Sequence, residues 1–141
     1  MCSNDTEFEA RLCQYPLYSY AAQNWGHHAR VHSTIDNLSL RFLGDVCVLE
    51  ASLQALFSLK GYYGFESYCI RVPLGFTAFH MAAWFGLEKV LQFFVNQWNG
   101  SCARDSMSWV PLAWAALNGH RSVVKMLLDH GVEPLQQDES G

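Results

Sequence analysis

A pattern of small and apolar residues occurs twice in the second half of the chain, and its two copies are 33 residues apart. The upstream copy begins at Thr77 and the downstream copy begins at Val110. In each copy an apolar run with a pair of alanines precedes a glycine, and a segment with apolar residues at helical spacing follows it. A period of this length is typical of proteins that stack repeated structural units. The sequence therefore predicts a solenoid.

Each copy predicts a short helix, a tight turn and a longer antiparallel helix. In the downstream copy Pro111 suits the first position of a helix, because its missing N–H would be unpaired there. Asn118 and Gly119 mark the turn, and Gly131 ends the second helix. The two copies together predict helices over residues 78–85, 88–97, 111–118 and 121–130.

Both copies resemble the ankyrin repeat, whose pattern is roughly D-x-x-G-x-T-P-L-H-x-A-A-x-x-G-H followed by an apolar helix. The Gly, Thr and His positions of this pattern are occupied upstream by Gly75, Thr77 and His80. The same positions are occupied downstream by Ser108, Val110 and Ala113. Because the Thr and His side chains normally tie the helix start to the hairpin, we expect the downstream repeat to be looser than the family norm.

The resemblance implies an all-α, ankyrin-type α-solenoid with an irregular helical N-terminal region. The predicted segments are an N-terminal tail and short helix (residues 1–14), a degenerate helical region (15–60), a loop (61–71) and repeats at 72–104 and 105–137. Residues 138–141 read D-x-x-G one period after Asp105. They are therefore predicted to begin a further, truncated repeat.

The N-terminal half carries a second resemblance. Residues 20–30 read YAAQNWGHHAR, and the pair Phe42-Leu43 follows. This segment resembles the region that joins NACHT ATPase cores to ankyrin arrays in large NOD-like receptors of filamentous fungi. The chain contains no G-x-x-x-x-G-K-[ST] phosphate loop, so the ATPase activity of such proteins is not expected. Residues 15–32 read either as a degenerate repeat unit or as one continuous helix, and Ser33 or Thr34 is expected to cap the next helix.

Composition excludes several classes of function. Half of the residues are hydrophobic and only 16% are charged, against about 25% in a typical soluble domain. Such a surface suits a protein that lies against another. A net charge of −4 gives no basic footprint for nucleic acid, and no apolar run is long enough to span a membrane. The polar N-terminus and five scattered cysteines predict an intracellular, cytoplasmic chain with reduced thiols.

His27, His28 and His32 are the one cluster with the character of metal ligands. His28 and His32 are four residues apart and would share a helical face. A metalloprotease motif needs Glu after its first histidine, whereas Ala29 stands there. The chain is therefore predicted to be non-catalytic and to use no cofactor, with a metal-dependent activity at the three histidines as the weaker alternative.

The resemblance implies a protein partner that binds the concave groove formed by the hairpins and the first helices. The residues expected to contact it are Leu74, Phe76, Trp84, Phe85, Met107, Trp109, Leu117 and Asn118. Exposed Trp and Met are enriched at interfaces, although some of these side chains could instead fold back against the preceding helices. The alternative function is a regulatory fragment that packs on, or competes with, the ankyrin arrays of a larger relative. Self-association through an uncapped C-terminal repeat is a further possibility.

Overall fold

The computed structural model describes residues 4–31, 37–58, 73–97 and 103–133. Within these ranges the chain forms eight helices and no strand. The helices are α1 (Asp5–Gln14), α2 (Tyr18–Val31), α3 (Asn37–Gly44), α4 (Val46–Leu56), α5 (Ala78–Phe85), α6 (Glu88–Asn96), α7 (Pro111–Leu117) and α8 (Arg121–Asp129).

The four helices of the two sequence copies form two pairs. Helix α5 packs against α6, and α7 packs against α8. The pairs stack side by side, since α5 also contacts α7 and α6 contacts α8. Every helix begins at the predicted residue, and α6, α7 and α8 end one residue early. The predicted all-α solenoid is confirmed.

The turn between α5 and α6 requires a glycine. Gly86 has a φ of 69° and ends α5 in the left-handed conformation, which a residue with a Cβ adopts at a cost. A Cβ on Gly86 would also lie 2.7 Å from the ring of His120. The short turn therefore brings the end of the first repeat directly against the second.

The N-terminal helices pack against one another and against the first repeat pair. Residues 18–31 form one continuous helix, which decides between the two interpretations of that segment. Helix α2 contacts α4 and α5, and α3 contacts α4 and α5. The predicted cap at Ser33 or Thr34, the loop at 61–71 and the repeat start at 138–141 lie outside the described residues.

One hydrophobic core runs from α3 and α4 through both repeat pairs. At its centre the ring of Phe57, just after α4, packs edge-on against three aromatic rings of the repeats. Its ring centroid lies 5.7 Å from Phe76, 5.2 Å from Trp84 and 6.0 Å from Trp114. The end of α4 is therefore part of the same core as the repeats.

Candidate partner-binding surface

The downstream hairpin is held by a buried carboxylate. Asp105 Oδ1 accepts hydrogen bonds from the backbone N–H groups of Met107 and Trp109, at 2.8 and 3.0 Å. Its Oδ2 accepts from Trp114 Nε1, at 2.8 Å. Charge-assisted hydrogen bonds of this kind are about twice as strong as neutral ones. They fix the hairpin to α7 and set the positions of Met107 and Trp109.

The two hairpins are bonded to each other. The backbone N–H of Ser106 donates to the carbonyl of Leu74, at 2.7 Å. In return the backbone N–H of Leu74 donates to Ser106 Oγ, at 3.0 Å. Leu74 and Met107 therefore belong to two hairpins whose backbones are joined by hydrogen bonds.

His80 joins the upstream helix to the downstream hairpin. The N–H of Thr77 donates to His80 Nδ1, at 3.0 Å, so Nδ1 is the acceptor. Nε2 then carries the proton and donates to the carbonyl of Trp109, at 3.2 Å. Burial lowers the pKa of His80 and favours the neutral ring that this arrangement needs. In the downstream repeat neither Val110 nor Ala113 has a side-chain group that could form such bonds, in agreement with the sequence analysis.

His120 makes a second connection, between α2, α5 and the downstream turn. Arg30 Nη1 donates to His120 Nδ1, at 3.3 Å, and His120 Nε2 donates to the carbonyl of Trp84, at 2.9 Å. Desolvation lowers the pKa of His120, and the positive charge of Arg30 lowers it further. The neutral form is again the one that bridges its neighbours.

Six of the eight predicted contact residues remain wholly or partly accessible. Leu74 is 78% exposed, Leu117 is 51% exposed and Met107 is 37% exposed. The side chains of Trp84, Trp109 and Asn118 are half-buried. We call these six residues the groove surface.

The structure corrects the prediction for Phe76 and Phe85, which lie in the core and are not open to a partner. Phe85 has no exposed surface because α2 lies on it, with the Trp25 ring centroid 5.1 Å and the His27 ring centroid 5.4 Å away. Phe76 is buried against Phe57 and Trp114. A glycine within the sequence of α2 was the one signal of this contact, since such glycines often permit close approach.

Gly26 permits the close contact between α2 and the Phe85 ring. A Cβ on Gly26 would lie 2.1 Å from Phe85 Cγ, closer than any real contact. Only a hydrogen atom at this position lets α2 lie on the Phe85 ring. The positions of Phe76 and Phe85 in the expected groove are therefore closed by the chain itself, whereas Leu74 on the upstream hairpin stays open.

Two of the three histidines of the predicted cluster lie in the described part of the chain. His27 and His28 are exposed on α2, and His32 lies outside the described residues. No three His, Cys, Asp or Glu residues among those described lie close enough together to hold a metal ion. None of the described helices is long and apolar enough to cross a membrane.

Residues 46–138 match the family described as ankyrin repeats (3 copies), a span that includes α4 to α8. No curated protein and no solved structure is significantly similar to the chain. Ankyrin repeats are general protein–protein interaction modules, and the family is typically non-catalytic. Because the match covers about two thirds of the sequence, the chain belongs to the ankyrin repeat family.

Proposed function

We propose that the chain is a non-catalytic module that binds a protein partner through the groove surface. The observation that carries this proposal is the exposure of Leu74, Met107 and Leu117 on the two hairpins and α7. Large exposed apolar side chains that form one surface are typical of interaction sites. Trp109, half-buried beside them, offers the kind of anchor that dominates binding energy at interfaces.

The hydrogen bonds beneath the groove surface support the proposal. Asp105 fixes the backbone on both sides of Ser108, and His80 fixes the carbonyl of Trp109. The Trp109 ring is also held against Trp114, with the ring centroids 4.7 Å apart. A surface that is already ordered loses less conformational entropy on binding, so more of the contact energy appears as affinity.

A second candidate function is packing on the ankyrin array of another protein, as the fungal receptor resemblance suggests. It is supported by a hollow of about 450 Å³ on the far side of the downstream repeat. Ala116, Val124 and Leu128 line it, and Leu128 is 46% exposed. The family match begins at residue 46, so the receptor resemblance of α2 rests on the sequence pattern alone.

Two exposed leucines of the same repeat separate the two candidates. Leu117 belongs to the groove surface and is 51% exposed, whereas Leu128 lines the hollow and is 46% exposed. We expect Leu117→Asp to lower the affinity for an identified partner by at least about tenfold, which corresponds to a loss of roughly 1.4 kcal/mol of binding free energy. Leu128→Asp should leave this affinity unchanged. Both variants should keep the circular dichroism spectrum of the unmodified chain.

The partner would be captured from the native cell and its affinity then measured by titration with each purified variant. If Leu128→Asp abolishes binding while Leu117→Asp does not, the chain binds by packing on an ankyrin array and the proposal of groove binding is wrong. Trp84 is a poor choice for this test because its ring packs on Phe57 and Trp114. Its removal would weaken the fold together with any binding.

A further inference from the structure

The hollow on the far side of the downstream repeat is a second concave surface, and it shares no residue with the groove surface. The small residues Ala116 and Gly119 line one part of it, and a Cβ on Gly119 would meet nothing within 4 Å. Val124 and Leu128 of α8 line another part, and Leu128 is 46% exposed. Because the distance between packed helices depends on the side chains at the contact, small residues here allow another helix to approach closely.

The charged residues of α8 are separated along the helix by sign. Arg121 and Lys125 lie in its first half, whereas Asp129 is its last residue. The three are spaced four residues apart, so they follow one side of the helix, and all three line the hollow. Glu133, exposed just beyond α8, adds a second negative charge at this end. Within the described ranges none of these four exposed side chains forms an ion pair, so all four are free to meet a partner.

We propose that the hollow binds a second copy of this chain, with the two α8 helices antiparallel about a two-fold axis. With the axis near Leu127, Lys125 of each copy lies opposite Asp129 of the other copy. Arg121 of each copy then lies towards Glu133 of the other. A copy in the parallel orientation would instead place Lys125 beside Lys125, and juxtaposed like charges repel. The charge pattern of α8 is therefore complementary to itself in the antiparallel orientation.

The apolar and the charged residues contribute differently to this contact. The Leu128 side chain of each copy packs beside Val124 of the other, and the burial of apolar surface supplies most of the binding free energy. Exposed ion pairs add little affinity, but they decide which orientation forms. A two-fold interface uses the same surface on both copies, so association stops at the dimer. The groove surface stays open in both copies because none of its residues lines the hollow.

Sedimentation equilibrium of the full chain, from micromolar to submillimolar concentrations at low salt, tests whether the dimer forms through this hollow. We expect an equilibrium between monomer and dimer. Leu128→Asp should weaken dimerisation by at least about tenfold, because it places a charge in the apolar contact. Leu117→Asp, on the groove surface, is the matched control and should dimerise like the unmodified chain. A chain that is monomeric throughout would overturn the proposal and leave the hollow to a different protein, and a dimer that Leu128→Asp does not affect would also overturn it.

Two charge substitutions test the antiparallel orientation in the same experiment. Lys125→Glu and Asp129→Lys should each weaken dimerisation by about fivefold or more, because like charges then face each other at both ends of the contact. An equimolar mixture of the two variants should dimerise as well as the unmodified chain, since every substituted charge meets its opposite in the other copy. Lys89→Glu, exposed on α6 outside the hollow, is the control and should have no effect. If the mixture dimerises no better than either variant alone, the antiparallel arrangement is wrong.

Discussion

The same positions of the two repeats have different surroundings in this molecule. Phe85 has no exposed surface, whereas Asn118, one period later, is half-buried. Phe76 is 7% exposed, whereas Trp109 at the matching position is half-buried. Helix α2 lies directly on Phe85 of the upstream repeat, whereas it reaches the downstream repeat through the hydrogen bond between Arg30 and His120. A residue's place in the repeat pattern therefore does not decide whether it forms core or binding surface.

The largest expected effect is the difference in stability between substitutions at Phe85 and at Asn118. Phe85→Ala should lower the free energy of unfolding by about 3–5 kcal/mol, because it removes a fully buried ring and leaves a cavity. Asn118→Ala should cost about 1 kcal/mol or less, since it removes the one neutral hydrogen bond that the described structure gives its side chain, to the carbonyl of Trp114. Urea unfolding followed by circular dichroism measures both. Similar costs at the two positions would mean that α2 does not cover the upstream repeat in solution.

Much of the fold could be predicted from the sequence because its signals are local. The 33-residue period, Pro111 and the turn glycines define the four repeat helices within one residue at each end. The burial of Phe76 and Phe85 could not be predicted in this way. It depends on α2 and Phe57, which are distant in sequence and follow no repeat register.

The next effect concerns the contact between α2 and α5. Gly26→Ala should cost about 1–3 kcal/mol because its new methyl group would overlap the Phe85 ring. Gly44→Ala is the matched control, since a Cβ there meets nothing within 4 Å. Its expected effect is below about 0.5 kcal/mol. If thermal or urea unfolding shows the two variants to be equally stable, the Phe85 ring does not pack against Gly26 as described.

A smaller, pH-dependent effect follows from His80, which has no counterpart in the downstream repeat. Its pKa in the fold lies below the ordinary value of 6.5. Below that pH the unfolded chain binds a proton that the folded chain does not. The free energy of unfolding should therefore be constant above pH 6.5 and fall as the pH decreases towards the lowered pKa of the folded state.

Urea midpoints measured between pH 7.5 and pH 5.5 test this expectation. His80→Gln should reduce the pH dependence, and His120 should supply part of what remains because its pKa is also lowered. A steeper loss of stability in His80→Gln than in the unmodified chain would contradict the assignment.

The smallest effect sharpens the comparison between the two hairpins. Ser108 has a φ of 61° at the position where the upstream repeat has Gly75, with a φ of 78°. Ser108→Gly should stabilise the fold by about 1–2 kcal/mol because it relieves the strain of a left-handed backbone conformation. It should also lower the free energy of unfolding by about 0.4–1 kcal/mol, because glycine gives the unfolded chain more conformational freedom. We expect a net gain of between about 0 and 1.6 kcal/mol and a small rise in the melting temperature. A loss of stability would show that the serine side chain contributes more than its backbone strain costs.

Native-state hydrogen exchange tests the central claim, that α2 and the upstream repeat form one unit in which Phe85 is closed to a partner. The amides in the middle of α2 and α5 should open with free energies within about 1 kcal/mol of each other, because both helices share the buried Phe85 contact. Gly26→Ala should lower both values together. If the α2 amides exchange through a much easier opening while α5 stays protected, α2 does not keep Phe85 closed to a partner.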